Sequence, residues 1–301
     1  MLTQGDTAFA ERGAMNQRAE IIARITSVPP LPSASMEVVR IVRDPHSTCT
    51  KVTEAIEYDP SLTTNVLRFA NSASFGTPQT VGTVREAFSR LVPENGFESV
   101  LAGAVGRIAE RPVTGYDVSG EDLWDHLIGS ALASRKLAQV LKITPPEHLF
   151  TAALTHDIGK VVLGTFTEVN PKEITSLALQ QRISFEQAEQ QVLGIDHAEV
   201  GARLVAHWSL PRSIVEAVRW HHQPDCCNTD PLIVNLVHVA DAVCLMAGVG
   251  ASVDALSCRP VSHAMESLGL QLNLLDQIVY EVLNELLKVR TLFKFHQGGP
   301  Q

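Results

Sequence analysis

The 301-residue sequence predicts an all-α protein built as two helical bundles, and three observations carry that prediction. Aromatic residues make up only 5% of the chain while hydrophobic residues reach 45% and are rich in Ala, Val and Leu. That bias suits closely packed helices better than aromatic-rich sandwich strands. Apolar residues recur at three- and four-residue intervals in segment after segment. Proline and glycine clusters punctuate these segments, and no fixed-period repeat or low-complexity tract is present.

Residues 1–15 mix charges of both signs without an apolar core and are expected to form a flexible N-terminus rather than a signal peptide. Helical periodicity begins near Asn16, with Ile21, Ile22 and Ile25 on one face, and stops at Pro29-Pro30-Leu31-Pro32, which cannot continue a helix. Met36, Val39, Ile41 and Val42 then predict a helix ended by Asp44-Pro45. A second begins at Lys51 and ends at Asp59-Pro60, and a third covers Ser61 to Asn71. After the turn-rich run from Ser72 to Pro78, helices are expected over Val84 to Leu91 and Phe97 to Ile108. These make a first bundle over 16–112. Arg111 to Gly120 combines one Pro, two Gly and several polar residues, offers few core-facing side chains, and is the expected boundary.

The second bundle, over 113–295, restarts with Glu121 to Leu141. Thr144-x-x-Glu147 predicts a capping box that opens a helix running into Thr155, and Ser184-x-x-Gln187 predicts another. Asp230-Pro231 places a cap and a first-turn proline before an apolar helix. That helix lies in the apolar stretch from Leu232 to Ala251, which is long enough to span a bilayer but carries Asn235, His238 and Asp241, so a buried helix of a soluble domain is expected. Residues 296–301 form a tail.

The formal charge of -9, with no Lys/Arg block, makes a field that repels phosphate backbones and argues against direct binding of nucleic acid. No membrane partner is expected either. Cysteines 49, 226, 227, 244 and 258 are odd in number and contain no C-x-x-C pair, so they are expected to be reduced thiols of a cytoplasmic protein.

The chemistry-bearing residues gather in the second half. His156-Asp157 joins an imidazole to a carboxylate, a pairing suited to borderline divalent cations such as Fe, Mn, Ni or Zn. Consecutive helical residues diverge by about 100°, so both reach one ion only near a helix end, which Gly159 is expected to mark. His126, His197, the pair His221-His222 and Asp241 each sit in an apolar helical context. A buried, unpaired Asp241 would cost several kcal/mol and calls for a cation or strong donors. Asp122 shares a helical face with His126 and is either a further carboxylate of the site or a first-turn residue serving the helix dipole. Lys160 is either an exposed helix-end cation or a phosphate-facing one. His238, three residues before Asp241, is a candidate orienting partner.

The order His126, His156-Asp157, Asp241 resembles the H, HD, D signature of the HD superfamily of metal-dependent phosphohydrolases, in which those four side chains hold one metal. His197 and His221-His222 match positions that bind a second metal in HD-GYP domains, with Asp157 as the bridge. In the first half, Val28-Pro29-Pro30-Leu31-Pro32, Tyr58-Asp59-Pro60-Ser61-Leu62 and Leu67-Arg68-Phe69-Ala70-Asn71-Ser72 through Phe75-Gly76 resemble hallmark segments of HDOD domains. Asp196-His197-Ala198-Glu199-Val200-Gly201-Ala202 and Trp220-His221-His222-x-Pro224 are similar to HDOD segments too, so the likeness runs from about residue 25 to 290.

The resemblance implies an output or regulatory module of bacterial signalling with an HD-type site holding one or two divalent ions. Its partner would be a signalling protein or a phosphorylated small molecule. General catalysis is not established for such proteins, many of which have lost the ligands that this chain keeps. The alternative is a metal-dependent phosphohydrolase in which Asp157 and Lys160 take part in catalysis. Gln223-Pro224-Asp225-Cys226-Cys227 stands where HD-GYP domains carry Gly-Tyr-Pro, which argues against a cyclic dinucleotide substrate.

Overall fold

The structure is a computed structural model and describes residues 16–26, 53, 81–91, 113, 116, 118–166, 171–250 and 262–293. Among these residues the fold is all-α: there is no strand, only an isolated antiparallel bridge between Val113 and Val118. The helices are α1 over 16–25, α2 (Val84–Leu91), α3 (Gly120–Val140), α4 (Leu149–Thr155), α5 (Ile158–Phe166) and α6 (Pro171–Gln181). They continue with α7 (Phe185–Leu193), α8 (His197–His207), α9 (Arg212–Trp220), α10 (Pro231–Met246), α11 (Ser262–Ser267) and α12 (Leu272–Phe293). The helices expected between Met36 and Asn71, and that from Phe97 to Ile108, lie outside the described residues.

The chain divides into two compact units, 1–29 with 108–282 and 30–107 with 283–301. In the latter, α2 buries Val84 and Ala87 on one face, one helical turn apart. The former is organised around α10, whose residues from Ile233 to Cys244 are buried on every side. An all-round apolar helix must be enclosed by others, and α3, α4, α9 and α11 pack on it. Asn235, His238 and Asp241 are buried within it, and no helix among the described residues is long and apolar enough to cross a membrane.

Local signals explain the starts and stops. Ser119 Oγ accepts the Asp122 amide and caps α3, while Ser184 and Gln187 form the expected capping box on α7. Gly194, with φ of 71°, ends α7 in the left-handed conformation that favours glycine, and Asp196 then caps α8 by accepting the Glu199 amide at 2.6 Å. α1 is tied to this turn by Arg18, whose guanidinium donates to Gly194 O at 2.6 Å and to both oxygens of Glu199.

Three expectations are corrected. The Thr144-x-x-Glu147 capping box does not form: Pro146 disfavours the helical conformation at Pro145, and α4 starts only at Leu149, without a side-chain cap. Gly159 does not mark a helix end but lies in the first turn of α5, where it allows close contact with α8. A Cβ there would stand 1.9 Å from His197 O, and one on Gly201 would stand 3.1 Å from Gly159 N. The stretch from Arg111 to Gly120 is not poor in core-facing side chains, since Val113, Tyr116 and Val118 are all buried.

Candidate metal centre

Five pieces of backbone aim side chains at one buried point. α3 brings His126, and the joint between α4 and α5 brings His156 and Asp157. The start of α8 supplies His197, the C-terminal end of α9 supplies His221 and His222, and α10 supplies Asp241. His156 and Asp157 occupy the single turn where one helix stops and the next begins, and from there they reach the two clusters, His156 the first and Asp157 the second. Two ligand-type clusters result, each with its nitrogen and oxygen atoms within 4.8 Å of one another: His126, His156 and Asp241, and Asp157, His197, His221 and His222. Asp157 connects them, lying 3.4 Å from His126 Nε2 by one oxygen and 3.3 Å from His197 Nε2 by the other. All seven residues singled out from the sequence are therefore brought together.

The imidazoles are oriented for ligation. Carbonyl and carboxylate oxygens only accept hydrogen bonds, so the Nδ1 atoms facing them must donate. His126 Nδ1 donates to Val249 O at 3.2 Å, His156 Nδ1 to Ala153 O at 2.7 Å and His221 Nδ1 to Val218 O at 2.8 Å. His197 Nδ1 donates to Glu189 Oε2 at 2.6 Å. In the neutral ring this leaves the Nε2 lone pair pointing inward. His126, His156 and His221 Nε2, Asp157 Oδ1 and Asp241 Oδ2 are buried and have no hydrogen-bond partner. Such orphaned atoms are rare in protein interiors and costly. Two in each cluster, His126 and His156 Nε2 in the first and Asp157 Oδ1 and His221 Nε2 in the second, fit bound cations, as does the chemistry of the set, imidazole with carboxylate. His197 Nε2 and His222 Nε2 stand 2.8 Å apart, a separation that suits a shared proton or a common ion.

The charge balance leaves a deficit that protons or a cation would fill. Asp157, Asp241 and Glu189 are buried carboxylates against the one buried ammonium of Lys160, so the site with neutral imidazoles lacks two positive charges. Burial opposes a proton on His126, yet Asp157 and Asp241 outweigh it and push the pKa up to about 10. Burial likewise opposes a proton on His197, but Glu189 and Asp157 hold its pKa well above the usual value. Burial pushes His221 down to about 4, against the pull of Asp157. For both aspartates burial works against the charge. Lys160 and His156 nevertheless hold Asp157, and His126 and His156 hold Asp241, well below the usual carboxylate range.

The remaining candidates fall outside the clusters. Lys160 is buried, not an exposed helix-end cation, and donates to Asp157 Oδ2 at 2.6 Å. Asp122 serves the first turn of α3, accepting from Ser119 Oγ at 2.6 Å. His238 Nδ1 donates to His221 O at 2.7 Å and so ties α10 to the end of α9. Cys226, Cys227 and Cys244 are free thiols and join neither cluster. A small cleft reaches the site between Val113, Tyr116, Val118 and Leu123 and ends on His126, Asp157 and Lys160.

Sequence reasoning missed Glu189 and Tyr116. Glu189 is fully buried on the core face of α7 with Phe185, Ala188 and Leu193, and it also accepts the His197 main-chain amide at 3.0 Å. The available signal was its position, since a Glu sits where the apolar spacing of α7 calls for a hydrophobic residue.

Comparison with known proteins identifies the family and the fold. The HDOD domain model matches residues 28–224, and the chain belongs to that family. It is similar to an uncharacterised protein of Treponema pallidum, with 29% identity over 211 residues covering 68% of this chain and 39% of the other. The chain thus spans about two fifths of the length of that curated relative. Among solved structures it resembles an HDOD domain protein of unknown function from Geobacter sulfurreducens, with TM-score 0.72 and 22% identity over 93% of this chain and 100% of that one. It also resembles a protein of Shewanella amazonensis described provisionally as a phosphohydrolase, with TM-score 0.66 and 24% identity over 90% of this chain and 97% of that one. At these identities the likeness speaks for the fold.

Proposed function

We propose that this chain is a metal-binding regulatory module of bacterial signalling, acting in the cytoplasm, in which the HD-type site holds one or two divalent ions of the Fe, Mn, Ni or Zn kind. The observation that carries the metal reading is the pair of orphaned ligand atoms in each cluster, His126 and His156 Nε2 beside Asp241, and His221 Nε2 with Asp157 Oδ1. His197 and His222 complete the set beside Asp157. A bound divalent ion would supply positive charge to the cluster and, in a catalytic setting, Lewis-acid polarisation and hydroxide near neutral pH. The regulatory reading is supported by membership of the HDOD family. It is also supported by Lys160, whose ammonium is held by Asp157. The partner would be a signalling protein or a phosphorylated small molecule, and the net charge of -9 disfavours nucleic acid.

One observation favours a second reading, a metal-dependent phosphohydrolase: a water-sized cleft ends on His126, Asp157 and Lys160, where a hydrolytic water would have access to the cluster. The two readings separate in a phosphoesterase screen of the metal-loaded protein, run with cyclic di-GMP in the panel and His156→Ala as the blank. The regulatory reading expects no metal-dependent turnover above that blank. Its reason is positional, because productive transfer needs the substrate held in line to a fraction of an ångström. The segment after the paired histidines is a 3-10 turn at Pro224–Cys226 followed by Asn228, Thr229 and Asp230, without Gly-Tyr-Pro. Turnover that disappears in His156→Ala would put the hydrolase first.

A further inference from the structure

Glu189 is a fully buried carboxylate in neither ligand cluster, and its hydrogen bonds lead to His197 and Tyr116. Its Oε2 accepts the His197 main-chain amide at 3.0 Å and the ring Nδ1–H at 2.6 Å, while Oε1 accepts the Tyr116 hydroxyl. A carboxylate taken out of water is retained only where several donors satisfy it, and here all three donors are supplied by two residues. Two of those bonds grip one histidine by backbone and ring together, which fixes both the position and the rotation of the imidazole. The consequence lies across the ring, where His197 Nε2 is held 3.3 Å from Asp157 Oδ1 and 2.8 Å from His222 Nε2.

Tyr116 is placed for this by its own packing. It is fully buried, its ring lies 5.7 Å from that of Phe185 on α7 and 6.4 Å edge-on from that of His197, and the Val113–Val118 bridge closes the loop that carries it. The same residue lines the cleft that leads to the cluster. The histidines of the other cluster have no such partner: His126 and His156 donate to main-chain carbonyls. A carboxylate behind a ligating imidazole makes it a more basic donor than a carbonyl does.

We propose that Glu189, steadied by Tyr116, is the positioning residue that presents His197 Nε2 as a ligand in the cluster of Asp157, His221 and His222. This rests on the metal-binding reading above. Removing the charge while keeping the shape, as in Glu189→Gln, is expected to weaken binding of Co2+ by about 10- to 100-fold, the range typical of partners one shell behind a ligand. Tyr116→Phe keeps the ring against Phe185 and is expected to weaken it less.

The test is a Co2+ titration of the full chain followed by its visible ligand-field band, for wild type, Glu189→Gln and Tyr116→Phe, with imidazole 15N shifts of the metal-free proteins as a readout that simple packing would not move. The proposal expects His197 to hold a proton on Nδ1 in the wild type, and the order wild type, Tyr116→Phe, Glu189→Gln in falling affinity. Should Glu189→Gln fail to fold, the order of wild type and Tyr116→Phe, together with the His197 shifts of both, decides the matter. Wild-type binding matched by both variants within twofold overturns the role of Glu189 and leaves the metal site standing. A wild type that takes up no Co2+ overturns the metal site, and the role of Glu189 with it.

Discussion

Gly159 and the main-chain oxygen of His197 meet with no room for a side chain between them, since a Cβ on Gly159 would stand 1.9 Å from that oxygen. The glycine beside the His156-Asp157 joint therefore sets how closely α8, and with it His197, approaches Asp157. Gly159→Ala is expected to cost about 1–3 kcal/mol, as overpacking of a tight interface does. Gly82→Ala, where a Cβ meets nothing within 4 Å, is the control. Urea unfolding of both variants checks this, and equal midpoints would contradict the close contact.

Metal uptake is expected to release protons. His126, with its pKa pushed up to about 10 by Asp157 and Asp241, carries a proton on Nε2 at neutral pH in the absence of metal. A ligating imidazole must give that proton up. The sign follows: acid competes with the cation, so affinity falls as pH drops and rises toward pH 10. Calorimetry in buffers of different ionisation enthalpy is expected to show about one proton released as an ion binds at His126 near pH 7. Uptake without proton release would contradict the protonation of His126.

Lys160 is expected to matter most when metal is absent. Its ammonium is the buried cation 2.6 Å from Asp157 Oδ2, and removing one partner of a buried ion pair costs about 3–5 kcal/mol. Lys160→Met keeps much of the side-chain volume and leaves Asp157 without that charge. Unfolding of the metal-free variant should show the loss, and added divalent ion should restore most of it. A loss unchanged by metal would mean that Asp157 does not face the ion.

Much of the site was legible because its residues break local rules. Asp241 and His238 interrupt an apolar run that ends up buried on all sides, and His221-His222 close a helix just before a proline. The joint at His156-Asp157 was readable as a convergence point, though Gly159 was read for the wrong reason: close packing against another helix leaves no mark in a single sequence. Tyr116 was hidden in a stretch whose Pro and Gly content predicts a boundary, yet it packs inward with Val113 and Val118. Thr144 and Glu147 carried the spacing of a cap, and Pro145-Pro146 between them prevented it. Spacing rules see neighbours along the chain, whereas Glu189 and Tyr116 meet across 73 residues.

Whether this cluster is a metal site is decided by elemental analysis of the purified wild-type protein beside Asp157→Ala. Asp157 touches both clusters, lying 3.4 Å from His126 Nε2 and 3.3 Å from His197 Nε2, so its removal opens both. The wild type is expected to carry about one or two divalent ions per chain and Asp157→Ala markedly fewer, at unchanged helical content. Equal metal in the two proteins would exclude Asp157 from the site, and a wild type that takes up no metal even when supplied with Fe, Mn, Ni or Zn would contradict the site itself.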